Sequence, residues 1–140
     1  LVQLKKFNFI KKIRNSNFFK HLNFFRKYES YFITPRILKN VKTNFLAYPV
    51  ILKSNKYFNR KKLQIYLENC GIQTRPIFSG NILRHPGFSF LISNRNKLTS
   101  FKNADFIMKN GLLIGCHQGL NQAHIKYIHS KIIKFLNKYI

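Results

Sequence analysis

Acidic side chains are almost missing from this sequence of 140 residues. Three carboxylates, Glu29, Glu68 and Asp105, stand against 26 Lys and Arg. General acid–base work by a carboxylate pair, glycoside cleavage and oxygen-ligated cation sites all need acids that meet in space. Each of these three sits alone, within or beside a predicted helix. Tryptophan is absent, and cysteine is limited to Cys70 and Cys116, far apart and with no CxxC partner. A zinc site needs more ligands at defined spacings, and the adjacent Cys116–His117 pair has no Asp or second base nearby. Both thiols read as buried and free. No apolar run approaches the roughly 20 residues of a membrane-spanning helix. Lys5, Lys6, Lys11 and Lys12 interrupt the N-terminal stretch too often for a signal peptide, which leaves the cytoplasm as the default location. GxGxxG, GxxxxGK[ST] and GxSxG motifs are also missing. A self-contained hydrolase, kinase or dehydrogenase is not expected.

What is present suits one folded domain. Hydrophobic residues make up 45% and aromatics 16% of the chain, enough apolar side chain for a core and against disorder. The net charge of +23 has two readings. One is a polyanionic partner, nucleic acid or an anionic membrane surface. The other is compositional, since Lys, Asn, Ile and Phe are over-used together, as AT-rich coding produces. The lysines are spread along the whole chain rather than gathered in one stripe, which favours the second reading.

Apolar residues at spacings of three and four, from Leu1 through Leu4, Phe7, Phe9, Ile10, Ile13, Phe18 and Leu22 to Phe25, predict one helix to about Tyr28. A basic amphipathic helix can lie on a membrane or pack on its own domain. The rhythm is already running at Leu1, so the chain is expected to begin inside an element with more chain before it. A connector from Glu29 to Asn44 is broken by Pro35. Phe45–Leu52 reads as a strand buried on both faces, with Pro49 implying an edge or a bulge. Asn59 is the expected cap of a helix from Arg60 to Asn69, with Leu63, Tyr66 and Leu67 inward and Gly71 as a left-handed stop. Ile72–Phe78 is extended, and Ser89–Lys102 is a polar surface excursion. Asn103 is expected to cap a short helix, Ala104–Asn110, closed by Gly111. Leu112–Cys116 is a second buried strand. Asn121 caps a last helix that turns Ile125, Ile128, Ile132, Ile133 and Leu136 inward. The order helix, strand, helix, strand, loop, helix, strand, helix is that of a small α/β domain, a few strands with helices packed on one face.

The densest punctuation lies in Gly71–Gly87, which holds two of the four prolines and three of the six glycines. His21, His124 and His129 read as surface residues on helices, and His117 as a turn histidine. His85 differs, because it shares this segment with Arg75, Phe78, Ser79, Asn81 and Arg84. Arginine grips phosphate or carboxylate with two parallel bonds, Gly80 and Gly87 let backbone amides approach a ligand, and Phe78 offers an apolar face to a sugar ring or base. The same segment also reads as a rigid proline-bounded turn with no ligand.

The succession FLAYPVIL, NRKKLQIYLENCGIQTRPIFSGNILRHPGF, FKNADFIMKNGLLIGCHQGL and NQAHIKYIHSKIIKFL resembles the C-terminal domain of the DegT/DnrJ/StrS family. These are pyridoxal-phosphate-dependent nucleotide-sugar aminotransferases and related sugar 3-dehydratases. The resemblance runs from Leu1 to the last helix. GIQTRPIFSGNILRHP is its most specific part and looks closest to the branch of 4-keto-6-deoxyhexose 3-dehydratases of lipopolysaccharide assembly. It implies a fold-type I enzyme working as a cytoplasmic homodimer, with residues 1–30 as a long helix of the interdomain kind and residues 31–140 as the small C-terminal domain. Arg75, Phe78, Ser79, Asn81 and His85 would face the sugar nucleotide, and Gly115–Leu120 would be a structural turn. The large domain that holds pyridoxal 5'-phosphate, with the aldimine lysine or its histidine substitute, has no counterpart here. The chain alone is therefore expected to be a fragment without its own cofactor or turnover, its partner being a large domain. Whether it counts as an enzyme stays open. The alternative is a small basic nucleic-acid-binding protein, and nucleic acid is the less expected partner.

Overall fold

Buried and half-buried positions alternate along β2 (Ala47–Leu52), and that alternation builds the domain. Tyr48, Val50 and Leu52 are buried while Ala47, Pro49 and Ile51 are half-buried, the pattern of a strand with one covered face. The computed structural model describes residues 1–91 and 100–139. β2 joins β1 (Phe32–Ile33), β3 (Thr74–Pro76) and β4 (Gly111–Gly115) in an antiparallel sheet of order β1-β2-β4-β3. A strand buried on both faces is thus corrected to one buried face. The helix α4 (Lys102–Asn110) touches β2 and β4 but buries none of its own side chains. Pro49 sits where expected. β1 pairs only with Leu52 and Ile51, so at Pro49 β2 is an edge, where a missing N–H is tolerated. β1 itself falls within the segment expected to be a plain connector. A two-residue strand has no periodicity of its own and exists because β2 is there to pair with.

The covered face packs against α2 (Phe7–Arg26), α3 (Arg60–Asn69) and α5 (Gln122–Tyr139). Phe18, Leu22 and Phe25 from α2, Leu63 and Leu67 from α3, and Ile128, Ile132, Phe135 and Leu136 from α5 share one core with Tyr48, Val50, Leu112 and Ile114. The single helix expected from Leu1 is interrupted at Lys6, with α1 (Val2–Lys5) standing as a separate turn. Leu1, Val2, Leu4, Phe7 and Phe9 are exposed, so this stretch lacks the tertiary packing from which most helical stability comes. In α5 the inward stripe is Ile125, Ile128, Ile132, Phe135 and Leu136. Ile133, expected inside, lies one step off the stripe and is exposed, and Phe135 takes the core position instead.

Helix ends follow their capping chemistry. Asn59 Oδ1 accepts from the Lys62 N–H at 2.9 Å. Gly71, at φ +72°, closes α3, with its own N–H bonding the Glu68 carbonyl and that of Ile72 the Leu67 carbonyl. Asn121 Oδ1 accepts from the His124 N–H at 3.0 Å and starts α5. Asn103 does not cap α4. The Asp105 N–H bonds the Phe101 carbonyl, which starts the helix earlier and leaves Asn103 inside its first turn. The expected excursion at Ser89–Lys102 falls mainly on residues 92–99, outside the described residues. Among the described residues no helix is long and apolar enough to cross a membrane.

Candidate functional site

The segment after α3 leaves the sheet edge as β3 and passes through Ile77–Gly80 into two short 3-10 turns, Ile82–Arg84 and Pro86–Leu91. Gly80 is required twice over. Its φ is +68°, and a Cβ there would stand 2.5 Å from the Met108 side chain. Gly87 has open space around it and no such constraint, so only Gly80 brings backbone close to a neighbour. Asn81 is 3% exposed and both ends of its amide are engaged. Oδ1 accepts from the Leu83 N–H at 3.1 Å, and Nδ2 donates to Asp105 Oδ1 at 2.8 Å. The Arg84 guanidinium grips both oxygens of the same carboxylate. The Arg84 bonds first and Asn81 second hold the Asp105 carboxyl down to about 2. Asp105 therefore anchors the loop to α4. Asn81→Ala removes both bonds and leaves the Leu83 N–H without its acceptor, so it should cost about 1–2 kcal/mol, read from the urea midpoint.

Of the five residues expected to meet a ligand, Arg75 and Phe78 share a groove, Ser79 and His85 meet each other, and Asn81 is engaged inside the loop. His85 Nε2 lies 2.6 Å from the Ser79 carbonyl oxygen, and both residues are exposed. Phe78 is 74% exposed. The groove has a volume of about 540 Å³ and runs from β3 along the end of β4 to the first turns of α5. Leu46, Leu113, Leu120 and Ile128 supply apolar wall, and Gln73, Arg75, His117 and His124 supply polar groups. No acidic residue lines it. Glu68, the carboxylate nearest in sequence, is engaged by the Gln64 amide and the Thr74 hydroxyl, which are the main reasons its pKa is lowered; Arg75 adds to this only as a neighbouring charge. Among the described residues the Arg75 side chain has no hydrogen-bond partner.

One wall of this groove is fastened by polar side chains that sequence reasoning missed. Arg14, Asn17 and His21 recur at spacings of three and four on α2. Arg14 Nε donates to Gln118 Oε1 at 3.0 Å. Asn17, 2% exposed, donates to the carbonyls of His117 and Leu120 at 3.2 and 2.9 Å. His21 Nε2 lies 3.1 Å from the Gly115 carbonyl oxygen, and its Nδ1 lies 3.0 Å from His129 Nε2. The Gly115–Leu120 turn is thus clamped by α2.

The reading of His21 and His129 as surface residues is corrected. His21 is 0% exposed, and His129 is half-buried with its ring stacked on Phe24 at 4.0 Å between centroids. The signal was available, because His21 lies three residues after Phe18 and four before Phe25, and His129 four after Ile125 and three before Ile132. Burial pushes the pKa of His21 down to about 4 and that of His129 to about 3, the latter helped by His21 and Lys27 as neighbouring charges. His124 is exposed, as expected. Cys116 is buried and its thiol is pushed up to about 11 by that burial, while Cys70 is half-buried; both are free.

The described residues do not fit pyridoxal phosphate. An internal aldimine needs a lysine enclosed beside the ring, and the ring nitrogen needs an acidic partner. No described lysine is buried, while Asp105 and Glu68 are committed to Arg84 and Asn81 and to Gln64 and Thr74. Among the described residues no three His, Cys, Asp or Glu gather as a metal site.

Residues 1–133 match the model of the DegT/DnrJ/EryC1/StrS aminotransferase family. The chain is 30% identical over 101 residues to the lipopolysaccharide biosynthesis protein RfbH of Salmonella typhimurium, covering 72% of this chain and 23% of that protein. Among solved structures, the GDP-4-keto-6-deoxy-D-mannose-3-dehydratase of E. coli with bound hydrated PLP superposes with a TM-score of 0.69 at 28% identity. That match covers 92% of this chain and 32% of the enzyme. An aminotransferase from Psychrobacter cryohalolentis superposes with a TM-score of 0.82 at 18% identity over 99% of this chain and 37% of its own, which speaks to fold alone. The chain spans about a quarter of the length of the RfbH protein.

Proposed function

The chain belongs to the DegT/DnrJ/EryC1/StrS aminotransferase family, and on that premise we propose that it is the substrate-closing domain of a pyridoxal-phosphate-dependent enzyme of nucleotide sugars, an aminotransferase or a 4-keto-6-deoxyhexose 3-dehydratase. Residues 31–140 form the closing domain, and residues 1–30 lead into it from a cofactor-bearing large domain that works as a dimer. When bound there, the cofactor supplies an electron sink at the sugar carbon, and this chain's residues bind and orient the ligand.

The observation that carries the reading is the Arg75 guanidinium, without a hydrogen-bond partner among the described residues, in the same acid-free groove as the exposed Phe78. Arginine matches the oxygens of a phosphate with paired donors, and the ring gives the base or sugar an apolar surface. Ser79 and His85 stand at the exposed rim of the loop, and Asn81 acts as the positioning residue that holds the loop on Asp105.

The test is equilibrium binding of a nucleoside diphosphate sugar to the 140-residue chain by calorimetry at 0.15 M salt, where long-range charge attraction is largely screened. Saturable one-to-one binding is expected, weakened at least tenfold in Arg75→Gln, since a lost charge-assisted bond is worth about 1.5–3 kcal/mol. Equal binding by the variant would overturn the reading. So would tighter binding of a random single-stranded RNA whose affinity collapses with salt, the behaviour that the charge of +23 would give a nucleic-acid-binding protein.

A further inference from the structure

Two histidines complete the donor set of this groove. His117 Nδ1 accepts the Gly119 N–H at 3.1 Å, and His124 Nδ1 accepts the Asn121 N–H at 3.3 Å. A neutral imidazole carries one proton. With Nδ1 occupied as an acceptor, that proton resides on Nε2, so each ring holds an N–H donor that its backbone partner does not use. Both rings line the groove with Arg75 and Gln73. The His117 turn is not free to swing away at no cost. The Asn17 bonds hold the backbone carbonyls of His117 and Leu120, and the Gly119 N–H ties the His117 ring to the turn through Nδ1. Tyr127 and Thr74, also on the wall, already donate their hydroxyls, to the Cys70 carbonyl at 3.0 Å and to Glu68 Oε1 at 2.8 Å.

We propose that His117 and His124 bind the diphosphate of the ligand through Nε2–H, opposite the Arg75 guanidinium, and so select a diphosphate-linked sugar over a monophosphate. The inference rests on the reading of Arg75 above. Several donors and no carboxylate in one open groove suit an anion with more acceptor oxygens than a single guanidinium can satisfy. A groove of about 540 Å³ lies within the range that encloses a ligand of that size, and its apolar wall at Leu46, Leu120 and Phe78 leaves room for the ring that a diphosphate carries.

The experiment titrates the chain with a nucleoside diphosphate, the matching monophosphate and inorganic pyrophosphate. It compares wild type with His117→Phe/His124→Phe, His117→Gln/His124→Gln, Arg75→Gln and, as a charge control on the far end of the chain, Lys5→Gln/Lys6→Gln. Glutamine keeps an N–H donor near the Nε2 position and phenylalanine does not. The phenylalanine pair should bind the diphosphate at least tenfold more weakly, the glutamine pair within about threefold of wild type, and the lysine control as wild type. In wild type, 15N spectra should show both rings protonated on Nε2, with those resonances moving as diphosphate is added. Equal binding by the phenylalanine pair while Arg75→Gln weakens would overturn the histidine role and leave the domain reading standing. Equal losses in both histidine pairs would reduce the residues to holding the turn and also overturn it. No saturable binding by wild type would sink both readings.

Discussion

Lowering the pH from 7 to 4.5 should strip this domain of about 2 kcal/mol of stability, through His21. The ring is buried against Tyr48 and His129, and burial displaces its pKa from 6.5 to about 4, a difference of about 3 kcal/mol between the two protonation states. Between those two values the unfolded chain takes up the proton and the folded chain does not. Stability is therefore intact above about 6.5, falls as the pH drops towards 4, and levels off below. The geometry gives the same sign. With the Gly115 carbonyl accepting from Nε2, His21 Nδ1 is the acceptor for the proton on His129 Nε2. Protonating His21 sets two N–H donors against each other in a site with no carboxylate. His129 moves in the same direction.

Carboxylates ordinarily blur such a transition, but only three exist here. The stability that Asp105 contributes is lost at lower pH, as it passes from its ordinary value of 3.8 to about 2. Urea unfolding at pH 7, 6, 5 and 4.5 is the measurement, with His21→Gln expected to start less stable and to show a flatter dependence. A wild type as stable at pH 4.5 as at pH 7 would remove the pair from any role in acid sensitivity. The consequence reaches the groove, because the Gly115 carbonyl that His21 holds begins the turn carrying His117.

The legibility of this chain follows the range of the forces involved. The limits of α3 could be read to the residue, since an asparagine cap and a left-handed glycine act within a few positions. The sheet was legible as apolar runs but its burial was not. Whether the second face of β2 is covered depends on how far α4 settles onto it, and nothing in Ala47–Leu52 encodes that. β1 was illegible because its pairing with Ile51 and Leu52 is its only reason to exist. At the site, Arg75 and Phe78 stood out because an arginine and an aromatic in a proline-bounded loop have no structural excuse in sequence. Asn81 stood out for the same reason, yet its amide serves Asp105, 24 positions on. His117 and His124 passed as ordinary turn and surface residues, because their meaning lies in Nδ1 bonds to backbone that only the folded turn brings within reach. On α2, His21 was misread by polarity and Asn17 was not singled out. Spacing put Asn17 and His21 on the packed face, and spacing won because each polar atom found a partner in the Gly115–Leu120 turn or in His129.

Phe25→Ala should be the most damaging single truncation, costing about 4 kcal/mol, within the range of large-to-small changes at closed core positions. Phe25 is 0% exposed. Its ring lies 5.2 Å from Phe24, 5.0 Å edge-on to Phe32 and 5.3 Å from the stacked ring of Tyr48. Aromatic rings at such centroid distances add to the area they bury, and here they link three elements. Phe24 lies on α2 beside it, Tyr48 is the first buried residue of β2, and Phe32 is half of the strand β1. β1 has two pairs of residues to hold it and leans on this contact, so the loss should be felt first there. Hydrogen exchange at the Lys53 N–H, bonded to the Tyr31 carbonyl at 2.8 Å, should accelerate more than the lost global stability explains. Phe25→Leu keeps most of the volume and should cost under about 1.5 kcal/mol. Phe9→Ala, at an exposed position of the same helix, should change stability by no more than about 0.5 kcal/mol. A domain of this size has about 5–15 kcal/mol to lose, so Phe25→Ala should populate unfolded chain measurably at 37 °C where Phe9→Ala does not. Equal costs at Phe9 and Phe25 would mean that α2 is held by its own helix propensity. The argument that this core, with the α2 clamp on the groove turn, shapes the site would then fail with it.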